Sequence, residues 1–441
     1  MKNDKDKIKN NDININEVIE QANEEINHKF AHNVLGISNN IAKTGNTEYI
    51  YEFASKVKGL NNSDIQILQD AIIKAVNKEV DNLELNSKNA KYAYLFAKDI
   101  EGVNVFKLEN AVIKANEMEY IILFAKNVKD ADIIKLQHAV TQYHEATYIY
   151  EFAKEVANAF IPSLQDSIIK TRDAEYIYKF ALNVQGANIE KLQDAIIKTH
   201  DAEYIHKFAK DVQGADIYKL QKAVIKTGDA KHITKFAGEI ENLDDADIQQ
   251  LQKAVIKTHN PSKTSKAHEI VEFAQQVENA DISSLQKAII KTGDGLRIRE
   301  FASYVYNEGR QNRDAEFYKL QKAIIKTHSA NDIYLFAKNI EGADIKELQK
   351  AIIKTHDAEY IYKFALNVKG ADIKELQKAL TTCVKDANAF SYISSLQDKI
   401  DHPEIQQQQS QSTQSQSTQF QSMQQNVSDN KIEESDNGLG L

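Results

Sequence analysis

The stretch Asp173–His200 reads DAEYIYKFALNVQGANIEKLQDAIIKTH, and Asp201–Gly228 follows as DAEYIHKFAKDVQGADIYKLQKAVIKTG. The wording returns at Asp357–Cys383 as DAEYIYKFALNVKGADIKELQKALTTC. In the first copy Ile177, Phe180, Ala181 and Val184 fall at i, i+3, i+4 and i+7, the apolar stripe of one helix. Ile189, Leu192, Ala195, Ile196 and Thr199 make a second stripe. Asp173 and Asp201 stand where an N-cap carboxylate accepts backbone N–H groups, and Glu175 and Glu203 suit the positive end of the helix dipole. Gly186 and Gly214 suit a left-handed C-cap that stops the first helix, and Asn188, Asp216, Asp344 and Asp372 cap the second. Each copy therefore spells a helical hairpin.

The dipeptide Phe-Ala marks the unit along the chain, at Phe30, Phe53, Phe96, Phe124, Phe152, Phe180, Phe208, Phe236, Phe273, Phe301, Phe336 and Phe364. Every step from Phe96 to Phe236 is 28 residues, as are the steps Phe273 to Phe301 and Phe336 to Phe364. Helices of about eleven residues are unstable alone, so each hairpin must bury its stripe against its neighbours. The expected fold is all-α: an α-solenoid, a superhelix of about twelve hairpins stacked in one array. β-Branched residues follow helical spacing rather than alternation, so no strand is expected.

Residues 46–400 form the repeat array, 14–45 a pair of capping helices, and 1–13 and 401–441 disordered ends, the latter Gln/Ser-rich. The capping pair is expected to carry INEVIEQANEEINHKFAHNV as one long helix. At the other end Asp386–Ile400 closes the core without a complete first helix, and Pro403 marks the end of the array. Three insertions break the period: about fifteen residues between Lys74 and Tyr92, NPSKTSKAH at Asn260–His268 and NEGRQNR at Asn307–Arg313. Insertions in repeat arrays are expected to be loops, often on a working face. Pro162 falls in the first turn of its helix, where the ring is tolerated.

The chain has 441 residues, 42% hydrophobic and 27% charged, enough to bury a sizeable core. Its net charge of −9 argues against a strongly cationic nucleic-acid or membrane binder. A single cysteine, Cys383, excludes an intramolecular disulfide and suits a reducing compartment. The N-terminal MKNDKDKIKNNDININ has no apolar run behind it, and no segment approaches the length of a membrane span. A cytoplasmic monomer without a membrane segment is expected.

Positions equivalent by register form columns. His144, His200, His259, His328 and His356 follow the second helix, but Asn116, Arg172, Gly228, Gly293 and Gly45 share that slot. Gly, Asn and His tolerate positive φ best, so the column reads as a helix C-cap. Zinc needs ligands converging at about 2.0–2.1 Å, whereas helix layers lie about 8–10 Å apart. Neither HEATY nor HEIVE supplies a second histidine. No metal and no cofactor is expected.

Two aromatic columns precede each Phe. Four residues before it stand Tyr49, Tyr92, Tyr120, Tyr148, Tyr176, Tyr204, His232, Glu269, Arg297, Asp332 and Tyr360. Two before it stand Tyr51, Tyr94, Ile122, Tyr150, Tyr178, His206, Thr234, Val271, Arg299, Tyr334 and Tyr362. Tyrosine there can fill the groove between units with its hydroxyl at the rim. It can also line a recognition face, since Tyr is favoured in interface hot spots. The candidate partner-binding residues are Tyr92, Tyr94, Tyr148, Tyr150, Tyr176, Tyr178, Tyr204, His206, His232, Arg297, Arg299, Tyr334, Tyr360 and Tyr362, with the two later insertions beside them. A lysine column (Lys74, Lys114, Lys170, Lys198, Lys226, Lys257, Lys291, Lys326, Lys354) lies in the last turn of the second helix, where a cation complements the dipole. No phosphate-binding glycine loop, nucleophile elbow or Cys signature is present, so no catalytic residue is expected.

The consensus DAEYIYKFAxxVxGADIxKLQxAIIKT resembles tandem 28-residue helical repeats in proteins of bacteria, phages and giant viruses, over roughly Asn46 to Ile400. That resemblance implies a helical solenoid and brings no established activity. The function expected is a non-enzymatic scaffold that binds a protein or peptide along its surface. The alternatives are a repeat protein binding single-stranded RNA, with Tyr stacking and Lys on phosphates, or a translocated bacterial effector acting by protein binding, with KIEESDNGLGL as an exposed export tail.

Overall fold

The computed structural model describes residues 14–27, 31–78, 82–258, 267–307, 313–383 and 386–401. The expected disordered ends, the export tail, His259 and most of the two later insertions lie outside the described residues. Among the described residues every element is a helix, and they fall into two compact units divided between Ile240 and Glu241.

The first unit holds α1 (Ile15–Asn27), α2 (Ala31–Thr44), α3 (Thr47–Lys56), α4 (Asn62–Asn77), α5 (Leu83–Asp99), α6 (Val105–Ala115), α7 (Met118–Asn127) and α8 (Ile133–Tyr143). It continues through α9 (Ala146–Glu155), α10 (Ile161–Thr171), α11 (Ala174–Asn183), α12 (Ile189–Thr199), α13 (Ala202–Asp211), α14 (Ile217–Thr227) and α15 (Ala230–Glu239). The second unit holds α16 (Asp245–Thr258), α17 (Ala267–Gln276), α18 (Ile282–Thr292), α19 (Gly295–Asn307) and α20 (Arg313–Lys326). After these come α21 (Ala330–Asn339), α22 (Ile345–Ile353), α23 (Ala358–Asn367), α24 (Ile373–Leu380) and α25 (Ala389–Asp401). Within each unit, from α3 onward, a hairpin pairs a first helix, here the A helix, with a second, the B helix. Within each unit an A helix packs on its own B helix and on the next A helix, and B helices pack on B helices, as α11, α12, α13 and α14 do. The tandem-hairpin, all-α solenoid expected from the period is the fold of each unit.

Local chemistry sets the ends of the helices. Asp173 accepts from the Tyr176 N–H at 3.1 Å and Asn188 from the Lys191 N–H at 3.0 Å, satisfying donors that helix geometry leaves open. The B helix ends on a left-handed residue: Asn116, His144, Arg172 and His200 have φ of 59–60°, and Gly228 and Gly293 have 70° and 69°. His328 and His356 take the same conformation at 53° and 54°. The histidine column is thus a backbone device. Before it, Thr199 donates to the Ile196 carbonyl at 2.7 Å and accepts from the Asp201 N–H at 3.2 Å, tying one hairpin to the next.

Three expectations change. The A helix stops before the glycine: Val184 is extended, its N–H bonded to the Phe180 carbonyl at 3.0 Å, and Gly186 (φ 82°) lies in the turn beyond. Asp130, Asn158, Asn242 and Asn279 fill that slot elsewhere at φ 60–64°, so a left-handed turn after the helix, not its cap, requires this residue type. The capping segment is two helices, α1 and α2, which pack on each other rather than continuing as one. The first insertion is mostly helix, extending α4 to Asn77 and starting α5 at Leu83, because LELNSKNAK is composed of residues compatible with a helix.

Phe53, Phe96, Phe124, Phe152, Phe180, Phe208, Phe236, Phe273, Phe301, Phe336 and Phe364 are fully buried. Beside this apolar column runs a buried polar one. Gln165 accepts from the backbone N–H of Asn188 at 2.6 Å, and Gln193 from that of Asp216 at 2.7 Å. Gln69, Gln137, Gln252, Gln321 and Gln349 accept likewise from Asn104, Phe160, Asp281, Asp344 and Asp372. Each bond runs from one B helix to the N-cap of the next, so the amide fixes the stagger between hairpins. At Glu109 a carboxylate takes the place of the amide, accepting from Asp132 N–H at 2.7 Å and pairing with Lys135 at 2.9 Å.

Candidate functional site

Neighbouring A helices meet along a seam built from the two tyrosine columns. The ring two residues before Phe in one hairpin lies against the ring four before Phe in the next. Centroids are 5.7 Å apart for Tyr51 and Tyr92, 6.5 Å for Tyr94 and Tyr120, 5.8 Å for Tyr150 and Tyr176, and 6.0 Å for Tyr178 and Tyr204. In the second unit Tyr334 meets Tyr360 at 6.0 Å, and Tyr362 stacks on Tyr392 at 4.4 Å. These separations suit tilted aromatic pairs.

Four hydroxyls of the seam are held by a residue three past the next Phe, which the sequence columns missed. Tyr178 donates to Asp211 at 2.6 Å and Tyr51 to Asp99 at 2.8 Å, while Asn127 and Asn183 donate to Tyr94 and Tyr150 at 3.0 and 3.1 Å. Burial, then the acceptor carboxylate, pushes the Tyr178 phenol up to about 12, and Tyr51 and Tyr92 rise to about 12 for the same reasons. Tyr148 and Tyr204 are raised chiefly by burial.

Tyr92, Tyr94 and Tyr334 are buried; Tyr148, Tyr150, Tyr176, Tyr178, Tyr204, Tyr360 and Tyr362 are half-buried at the rim. Lysines lie over several rings, with Lys179 over Tyr176, Lys207 over Tyr204 and Lys363 over Tyr360, each at 4.7 Å. Lys179 pairs with Glu175 at 2.6 Å, Lys207 with Glu203 at 2.7 Å and Lys363 with Glu359.

The aromatic pairing lapses at defined places. His206 and His232 occupy the two seam positions between α13 and α15 and line one cavity of about 330 Å³. His206 is buried, with Nε2 at 3.4 Å from Glu239, and His232 Nδ1 lies 3.2 Å from Asp229. Burial lowers the His206 pKa, against the pull of Glu239. A hydrogen bond from Lys210 holds Glu239 below the usual carboxylate range. In the second unit an ion pair replaces the rings, Arg299 lying 3.5 Å from Asp332, while Arg297 turns to Glu300 at 2.6 Å.

The other cavity lining residues, Lys210, Lys231, Lys235 and Glu239 among them, escaped the column reading because columns compare a position with itself rather than with its neighbour across the seam. The glutamine clamps had a visible signal, an amide on the apolar side of nearly every B helix beside its core Leu. Cys383 is buried and its thiol is pushed up by burial, the opposite of an activated nucleophile. Among the described residues no group of three or more His, Cys, Asp or Glu side chains could hold a metal ion, and no helix is long and apolar enough to cross a membrane.

No family model matches this chain, and no curated protein does. Among solved structures it is similar to a circular tandem repeat protein with novel repeat topology and enhanced subunit contact surfaces, at 11% identity over 89% of this chain and 85% of that one, TM-score 0.12. A second similar structure comes from the computational design of self-assembling cyclic protein homooligomers, at 13% identity over 84% of this chain and 99% of that one, TM-score 0.08.

Proposed function

We propose that the chain is a non-enzymatic repeat scaffold that holds a protein or peptide partner along its A-helix face, as a cytoplasmic monomer. The trios Glu175–Tyr176–Lys179, Glu203–Tyr204–Lys207 and Glu359–Tyr360–Lys363 present the same acid, rim-exposed ring and cation in three hairpins, and this repetition carries the proposal. Tyr supplies large, stiff contact area at low entropic cost, and alternating charges fix a partner's register. The kinship with tandem 28-residue repeat proteins belongs to the same proposal and adds no activity to it.

Single-stranded RNA is the second candidate. The lysines over these rings are already paired with glutamates, which favours a protein partner over a phosphate backbone. Affinity purification with the full chain as bait, followed by mass spectrometry with nucleic acid measured in parallel, separates the two. The expected result is a protein retained by the native chain and lost from a Lys179→Glu, Lys207→Glu variant. Retention of RNA alone, or of nothing, would overturn the proposal.

A further inference from the structure

The cavity between α13 and α15 exists because two rings of the seam are missing. Where Tyr178 and Tyr204 pack as a tilted pair one hairpin earlier, His206 and His232 leave a space of about 330 Å³, within the ~300–1,000 Å³ range of small-molecule sites. Its wall contains a polar side chain withdrawn from water: His206 is 5% exposed, and its Nε2 makes no hydrogen bond among the described residues, with the Glu239 carboxylate 3.4 Å away. A buried polar atom left in that state costs free energy unless something fills it.

The charges around the cavity do not cancel. Three carboxylates line it, and each has a protein partner: Glu203 with Lys207 at 2.7 Å, Glu239 with Lys210 at 2.8 Å, and Asp211 with the Tyr178 hydroxyl at 2.6 Å. Of the four lysines, Lys231 and Lys235 have no ion-pair partner among the described residues. The four lysines exceed the three carboxylates by one charge, and Lys231, Lys235 and the buried His206 imidazole line the same concave site. Such a donor set suits a compact anion with several acceptor oxygens.

We propose that this cavity binds a dianionic phosphoryl group, held by Lys231 and Lys235 with the His206 and His232 imidazoles donating from the wall. The inference is independent of what binds the tyrosine rim. A bound dianion favours the charged imidazole, so occupancy raises the His206 pKa.

The test uses the full chain labelled with ¹⁵N-histidine and titrated at constant ionic strength. Inorganic phosphate and the N-acetyl amide of phosphoserine serve as parallel probes. The expected result is a saturable shift of the His206 and His232 ring nitrogens with an upward move of the His206 titration. A preference for the serine ester supports a phosphorylated side chain as occupant, and a preference for inorganic phosphate supports the free ion. His206→Tyr with His232→Tyr, which rebuilds the ring pair, should abolish saturation while the thermal transition is retained. Should that variant fail to fold, Lys231→Gln with Lys235→Gln carries the test and should weaken binding at least tenfold. Absence of a saturable shift, equal shifts with chloride, or undiminished affinity in the lysine variant would overturn the proposal.

Discussion

Gln193 stands on the apolar side of α12 at 2% exposure, where an unpaired amide would be a liability. It is tolerated because its oxygen meets the Asp216 N–H, a donor at a helix start that has no partner within its own helix. Gln193→Ala strands that donor, and the expected loss is about 1–3 kcal/mol, measured as a shift of the urea midpoint. Glu109→Gln keeps the acceptor and gives up only a pair with half-exposed Lys135, so its cost should stay under about 1 kcal/mol. If the two variants cost the same, the clamp is not what holds the stagger. His206 provides a pH-dependent case. Its folded pKa lies below the usual 6.5, so the folded state binds fewer protons than the unfolded one as pH falls through that value. Stability therefore drops on acidification from pH 7 through about 6.5 and below, until the folded pKa is passed. His206→Tyr should remove that part of the slope, as followed by thermal melts between pH 7.5 and 5. An unchanged slope would assign the loss to other groups.

At the level of the helix, legibility followed sequence distance. The A and B helices, their Asp and Asn N-caps and the left-handed C-caps are all decided within four residues, and all were readable from the repeat. The end of the A helix was not, because Gly186 signals positive φ without saying whether that residue caps a helix or turns the chain after it. The seam was beyond such reading, since its partners are set by the stagger of successive hairpins: Tyr178 finds Asp211, 33 residues on. Two substitutions separate what the seam is made of. Tyr178→Phe removes only the bond to Asp211 and should cost about 0.5–1.5 kcal/mol. Tyr178→Ala also removes the ring facing Tyr204 and should cost a further ~0.5–1.5 kcal/mol beyond the area lost. Denaturant midpoints of the two variants decide this, and equal values would mean that the ring pair adds nothing to helix–helix cohesion. The candidate partner-binding positions were legible as columns. That many of them are occupied by one another, and that His206 and His232 leave a gap, needed the neighbouring hairpin.

Across the molecule, the described contacts between hairpins join nearest neighbours, so stability is approximately a sum of similar steps. Removal of Asp173–His200 is a direct check. The join places Asp201 after Arg172, and each severed link has an equivalent waiting: Gln165 reaches the Asp216 N–H in place of Asn188, and Tyr150 reaches Tyr204 in place of Tyr176. The shortened chain should keep its helicity per residue by circular dichroism, with a smaller denaturant slope in proportion to the surface lost. Loss of the cooperative transition would show that the hairpins are not interchangeable. A deletion of half that length would instead place Lys207 in the slot of Gln193, and should not fold there. The glutamine clamp thus gives the length of the chain a natural unit. A gene coding for it can grow or shrink by whole copies of one segment and still specify a folded product, whereas other changes in length are absorbed between clamps, as the Gln69–Asn104 bond shows across its longer span.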